Sequence, residues 1–200
     1  RLEPGEPLEP HAAAHLAPLG LVQPGPQRLP GWTTELHPEQ APWLAEAAAG
    51  LAAGHLLVVD YAHEAWRYYA PQRSNGTLMA YRRQQATDNP LLEPGHWDLT
   101  AHLCLDALQN DAKHCGWQPL GQCRQGEALL ALGLAQRLHG LQQLDPADLA
   151  MALARRESLL RLVDPAGLGE FRWMAFGRGL GLEEPALPRF LRPPGPPTSC

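Results

Sequence analysis

Ionisable and aromatic side chains gather between Leu56 and Leu103 with little apolar filler. Asp60 closes the apolar run Leu56-Leu57-Val58-Val59 and is followed by Tyr61. Asp98 and Thr100 stand just after a Pro94-Gly95 turn, and His102 follows them. Arg73 lies in a turn with Pro71 and Asn75, and all four tyrosines fall between Tyr61 and Tyr81. A carboxylate such as Asp60 or Asp98 can hold a cation, and it matches the planar fork of a guanidinium with two bonds. An imidazole such as His102 can accept or pass a proton near neutral pH. Arg73 can pair with an acid at a site or anchor its own loop. Tyr61 and Tyr81, with Tyr68 and Tyr69, offer an apolar body and a polar tip, which suits a pocket wall.

Each of these residues also has a plainer reading, and both readings stay open at the level of sequence. Asp60 can be a strand-end acid bound to backbone N–H groups. Asp98 or Thr100 can cap a helix N-terminus. His102 would then sit in the first helical turn, where the dipole disfavours its charged form. The tyrosines can form a small local core that packs the segment down.

The elements that must position these groups follow from periodicity and turn chemistry. Residues 38–53 read as a helix rich in Ala and Leu, stopped by Gly54. Residues 55–61 read as a central parallel strand, apolar on both faces. A helix followed by a buried strand is one step of an α/β fold. Residues 33–36 are extended, and residues 77–83 are either a strand or an ordered loop. A helix is expected from Asp98 or Thr100 to Cys115, with Gly116 as its stop. A strand follows at 117–124, weakened by Pro119 and Gly121. Helices at 127–138 and 146–162 precede a last strand at 171–176. The whole segment 62–97 is expected to be a long functional loop, far beyond the usual strand-to-helix connection. Residues 1–30, rich in Pro and Gly, are expected to be extended or loosely held. Residues 181–200 are expected to form a disordered Pro-rich tail.

Composition narrows the partners. The chain has 200 residues and a net charge of −5 with no basic stripe, which argues against nucleic-acid binding. Its four cysteines contain no Cys-x-x-Cys pair, so reduced thiols in a cytosol-like compartment are expected, with no structural zinc. No apolar run is long enough to span a membrane, and no signal peptide is visible. His11 and His15 have helical i, i+4 spacing, but a third ligand is missing and no metal site is expected. No Gly-x-Ser-x-Gly elbow offers a hydrolase nucleophile.

Three motifs stand in order within this segment. Asp60-Tyr61 ends a strand. Tyr68-Tyr69-x-Pro71-x-Arg73-x-x-Gly76-Thr77-Leu78-x-x-Tyr81 follows. Pro90-Leu91-x-x-Pro94-Gly95-x-x-Asp98-Leu99-Thr100-Ala101-His102 completes the set. Together they resemble the MidA-like family of class I S-adenosylmethionine-dependent methyltransferases, and the likeness extends more weakly over residues 31–178. Two positions depart from the family pattern: Ala62 replaces a glycine, and Gln84 a histidine. The resemblance implies an α/β fold in which residues 31–180 form the C-terminal half of a Rossmann-like methyltransferase sheet with flanking helices. It implies S-adenosylmethionine as cofactor, held by a Gly-rich loop absent from this sequence. It implies Asp60, Asp98 and His102 as catalytic groups, with Tyr61, Arg73, Tyr81 and Thr100 binding substrate. The acceptor it implies is a protein, with an arginine on a respiratory-complex subunit as the specific candidate. The compartment expected is the cytoplasm, or the mitochondrial matrix in a eukaryote. The rival expectation is a binding or assembly protein that keeps the fold without turnover. The one dense glycine cluster, Gly177 to Gly181, follows a strand but opens no helix, so it reads as a turn rather than a cofactor loop.

Overall fold

In the computed structural model, residues 9–19, 21, 31–181 and 187–192 are described. The chain divides into two compact units, Arg1–Gly50 with Tyr61–Trp117, and Leu51–Asp60 with Gln118–Cys200.

The first unit opens on helix α1 (Glu9–Leu16) and a 3₁₀ turn (Ala17–Leu19), where the composition had suggested extended chain. Alanines favour the helix, and Leu16, Leu19 and Leu21 give it a reason to dock. They pack against a buried cluster of Tyr68, Tyr69, Cys104 and Ala107. The rest of the lead lies outside the described residues, as does the His11 side chain. Helix α2 (Gln40–Ala49) stops at Gly50, so Gly54 begins the next strand instead of ending the helix.

Strand β1 (Gly54–Asp60) belongs to the second unit. Back in the first unit, β2 (Ala62–His63) leads into the short helix α3 (Ala65–Tyr68). Strands β3 (Met79–Arg82), β4 (Gln85–Thr87) and β5 (Asp98–Thr100) form an antiparallel ribbon in the order β4-β3-β5. Arg83 and Gln84 carry positive φ at the β3–β4 turn. The segment 62–97 thus carries four short regular elements, β2, α3, β3 and β4, within a stretch that is otherwise loop and turn. Strand β6 (Leu103–Cys104) pairs in parallel with β2, setting Ala62 against Leu103 and His63 against Cys104.

Helix α4 begins only at Leu105 and runs to His114. The expected start at Asp98 or Thr100 is wrong. Asp98 and Leu99 pair with Tyr81 and Ala80 in the ribbon, and ladder hydrogen bonds outweigh the capping preference of Asp and Thr. Asp106, in the first turn of α4, serves another helix: its carboxylate accepts the backbone N–H of Ala65, the first residue of α3, at 2.6 Å. Leu44 and Ala48 of α2 and Leu105, Leu108 and Ala112 of α4 are buried where the two helices pack. The Gln40 amide donates to Asp111 at 2.7 Å, and the Trp117 indole N–H donates to the Leu44 carbonyl at 3.0 Å.

The second unit is built on a three-stranded sheet in the order β1-β8-β7, with β7 at Gln118–Arg124 and β8 at Arg172–Arg178. β8 is antiparallel to both neighbours. Among the described residues β1 is thus an edge strand in an antiparallel pair, contrary to the central parallel strand expected. Its Leu57 and Val59 are 46% and 41% exposed, while the centre of β8 (Met174, Ala175, Phe176) is buried. The expected helix at 127–138 is two helices, α5 (Gln125–Ala131) and α6 (Leu134–Leu141). Gly133 between them has φ +100°, a conformation that glycine adopts without penalty. Helix α7 (Leu149–Arg161) follows Asp145-Pro146 and packs on α6. In the expected Pro-rich tail, Arg189–Leu191 forms a 3₁₀ turn whose Phe190 ring meets Trp173 at 5.3 Å. Residues 182–186 and 193–200 lie outside the described residues.

Candidate functional site

The groups that converge are Tyr61, His63, Arg73 and His102, all in the first unit. Tyr61 and His63 are two residues apart around β2, so they share one face of the strand. The parallel pairing of β2 with β6 brings the residue before β6, His102, alongside them. The His63 and His102 rings stack at 4.5 Å with 12° between their planes. Tyr61 lies tilted against His102 at 5.7 Å.

Arg73 completes the cluster from the turn after α3. Its Nε donates to the Arg67 carbonyl at 3.0 Å, and its terminal nitrogen meets His63 Nε2 at 3.0 Å. A guanidinium can only donate, so His63 Nε2 must accept and the ring proton sits on Nδ1. Burial lowers the His63 pKa to about 4, with the His102 ring and the Arg73 and Arg67 guanidiniums adding to the effect. His63 is therefore a neutral imidazole at physiological pH.

A second network fixes the position of His102. The Glu35 carboxylate accepts from Thr77 N at 3.0 and 2.9 Å, from Thr77 Oγ1 at 3.0 Å and from Leu78 N at 2.9 Å. Thr77 Oγ1 in turn accepts the His102 backbone N–H at 3.0 Å. The His102 carbonyl meets His37 Nε2 at 3.0 Å, and a carbonyl only accepts, so that nitrogen carries the proton. His37 also reaches Tyr68 Oη at 3.2 Å, and Tyr68 donates onward to Glu35 at 3.4 Å. Burial pushes the Glu35 carboxyl up, but the bonds from Thr77 and Leu78 outweigh it and hold the pKa below its ordinary value. The Gly76-Thr77-Leu78 motif is thus a carboxylate clamp. Gly76, at φ +75°, leaves room for it: a Cβ there would meet Glu35 Oε1 at 2.1 Å.

The other residues singled out by sequence lie elsewhere. His102 is outside any helix, so the helix-dipole argument for its neutrality does not hold. Asp98 is exposed on β5, directly opposite exposed Tyr81, with Thr100 opposite Met79. The ribbon brings Asp98 and Tyr81 together, but as a cross-strand pair. Tyr68 and Tyr69 are buried in the local core and do not form a pocket wall. Asp60 ends β1 directly opposite Arg172 on β8, where opposite charges attract across the ladder. The chain passes from Asp60 straight to Tyr61.

The Gly-rich turn after β8 does not cradle a cofactor. A Cβ at Gly177 would meet Leu180 and Leu120, and one at Gly179 would meet the Ala52 carbonyl at 2.4 Å. These glycines admit neighbouring protein atoms. Among the described residues, no three His, Cys, Asp or Glu side chains form a group able to hold a metal, and no helix is long and apolar enough to cross a membrane.

Sequence reasoning missed His63, Glu35 and His37. The i, i+2 spacing from Tyr61 puts His63 on the same strand face, but that spacing alone does not mark it as functional. Nothing local pointed to Glu35, whose partners lie more than thirty residues away.

Comparison with known proteins identifies the family of the chain and its fold, not the roles of these residues. A crystal structure of a Burkholderia thailandensis protein bound to S-adenosyl-homocysteine is 30% identical, with a TM-score of 0.76 over 95% of this chain and 46% of that one. A native crystal structure of an uncharacterised protein of the same superfamily and organism is 32% identical, with a TM-score of 0.69 over 80% of this chain and 41% of that one. The chain thus spans about half the length of these relatives. No curated protein matches it. The fold is mixed α/β, and these structural neighbours share it. A family described as "Putative S-adenosyl-L-methionine-dependent methyltransferase" matches residues 3–123, more than half of the chain, and the chain belongs to that family.

Proposed function

We propose that this chain forms the acceptor side of a MidA-like, S-adenosylmethionine-dependent methyltransferase whose acceptor is a protein arginine. The observation that carries the reading is the convergence of Tyr61, His63, Arg73 and His102 within the first unit.

Asp60 is proposed on its own account, as a carboxylate able to attract and orient a cationic guanidinium. His63, neutral and bonded to Arg73, adds no charge to repel it. His102 is placed by the Thr77 clamp to take the proton that a methylated nitrogen loses. Tyr61 walls the site against the His102 ring. Asp98, Tyr81 and Thr100 lie on the β-ribbon and are assigned to contacts with the protein around the target arginine. A respiratory-complex subunit is the acceptor that the MidA-like reading favours.

The test uses the full-length protein with methyl-labelled S-adenosylmethionine and a library of arginine-containing protein segments. The reading requires label on arginine nitrogen, and its loss in Asp60→Asn and His102→Ala with folding intact. Label appearing only on other nucleophiles would refute the arginine assignment. Tight cofactor binding with no transfer to any acceptor would favour an assembly protein without turnover.

A further inference from the structure

Helix α7 is poorly buried for its length. Of its 13 residues only Ala152 is buried, while Leu149 and Leu153 are 59% and 55% exposed. A short helix in water depends on burying an apolar face, so this one has surface to spare for a partner. Between α6 and α7 runs a groove of about 530 Å³. Met151, Ala154, Arg155 and Leu159 line it from α7, and Arg137 and Leu141 from α6. The spacings i, i+3, i+4 and i+8 on α7, and i, i+4 on α6, are those of single helix faces.

The chemistry of the groove is specific. Its floor is apolar, and its lining carries two guanidiniums and no carboxylate. Neither Arg137 nor Arg155 forms an ion pair with a described residue; nearby Glu157 is engaged with Arg161 at 2.6 Å. The Ser158 hydroxyl donates back to the Ala154 carbonyl at 2.9 Å, so it does not compete for the occupant.

We propose that the α6–α7 groove docks an acidic amphipathic helix of a partner protein. Apolar anchors at helical spacing would fill the floor, and carboxylates on the flanks would meet Arg137 and Arg155. The stretch from Met151 to Leu159 spans about 12 Å at 1.5 Å per residue, so two to three turns of the partner suffice. A second copy docking through the same face would bring Arg155 and Arg156 against like charges, which disfavours self-association there. This surface is independent of the methyl-transfer reading.

The probe is a fluorescein-labelled synthetic helix of about three turns, with Leu on one face and Glu on both flanks. A matched control carries Lys in place of Glu. Anisotropy titration of the full chain should show saturable binding of the acidic helix that weakens with added salt. The double variant Arg137→Glu/Arg155→Glu should bind at least about tenfold more weakly, as should Met151→Asp. All three positions are exposed, and far-UV circular dichroism checks that the variants fold. Equal binding of the Lys helix, unchanged binding by the charge-reversal variant, or no binding of the acidic helix would each overturn the proposal. So would concentration-dependent self-association abolished by Met151→Asp, or binding to phosphatidylserine vesicles in place of the peptide.

Discussion

Gly76→Ala is the most informative single substitution, because two separable effects add at one position. The first is backbone strain. At φ +75° an alanine costs about 1–2 kcal/mol relative to glycine. The second is displacement of the Glu35 carboxylate, since the new Cβ would lie 2.1 Å from Oε1 and 2.8 Å from Oε2. The carboxylate must withdraw from Thr77 N, Leu78 N and Thr77 Oγ1. Bonds to a charged group contribute about 1.5–3 kcal/mol each when buried. Glu35 is only partly buried and water can replace some of them, so about 2–4 kcal/mol in total is a fairer figure. Gly76→Ala should then destabilise by about 3–6 kcal/mol, and Glu35→Ala by about 2–4 kcal/mol. The decisive measurement is the double variant. With the Glu35 side chain gone, the new methyl group meets no carboxylate and only the φ penalty remains, so the pair should be no less stable than Gly76→Ala alone. Urea melts followed by tryptophan fluorescence give all three values. Strict additivity, with the double variant destabilised by the sum of the two single values, would show that Glu35 and Gly76 act independently, and the clamp would be refuted.

His63 gives a pH dependence of known sign. Its pKa falls from 6.5 to about 4 on folding, so the unfolded state binds more protons between those values and stability drops as pH falls from about 6.5 to about 4. The full shift corresponds to about 3.4 kcal/mol, and half burial reduces this to about 1–2 kcal/mol; the slope should flatten in His63→Asn. Glu35 acts in a lower window: its contribution is present above the unfolded value near 4.5 and is lost as pH falls through the lower folded value, so Glu35→Gln should make melts less acid-sensitive below pH 4.5. Asp98→Ala should change stability by no more than about 0.5 kcal/mol, because the residue is an exposed strand position and not a helix cap; a loss above about 1 kcal/mol in the same urea melts would restore a structural role. Calorimetric titration of the 200-residue chain should show S-adenosylmethionine binding far weaker than micromolar, since no described glycine turn cradles a cofactor; micromolar affinity would overturn that.

Much of the element order was legible because it rests on local signals. The apolar run at 55–60, the strand at 118–124 despite Pro119, the helix after Asp145-Pro146 and the last strand all follow from periodicity and turn residues. Their environments were not legible. An apolar strand reads the same whether its neighbours are parallel or antiparallel, and whether one edge is covered or open. Leu57 and Val59 are apolar yet exposed because they share the one face of β1 that is left open, while the alternate residues on the other face are half-buried. The start of α4 was misplaced for a related reason. Asp98 and Thr100 are good caps, but Thr100 is also β-branched, and the partner that decides between the two roles is Met79, twenty-one residues away.

The same distinction explains which site residues could be found. Arg73, Tyr61 and His102 were visible as residue types inside a recurring motif, and the fold brings them together. His63 was hidden because its importance lies in a bond to Arg73 and a stack on His102, neither of which its own neighbours announce. Glu35 was hidden more deeply: it stands outside the motif segment, in a stretch with no apolar period. Yet it explains why the motif contains Gly76 and Thr77 at all. Gly76 leaves space for the carboxylate, Thr77 binds it, and the same hydroxyl passes the constraint to the His102 backbone. Glycine and threonine in this motif are therefore support for the imidazole stack. A substitution at Glu35, remote in sequence from every candidate catalytic group, should reach the proposed proton acceptor through two hydrogen bonds.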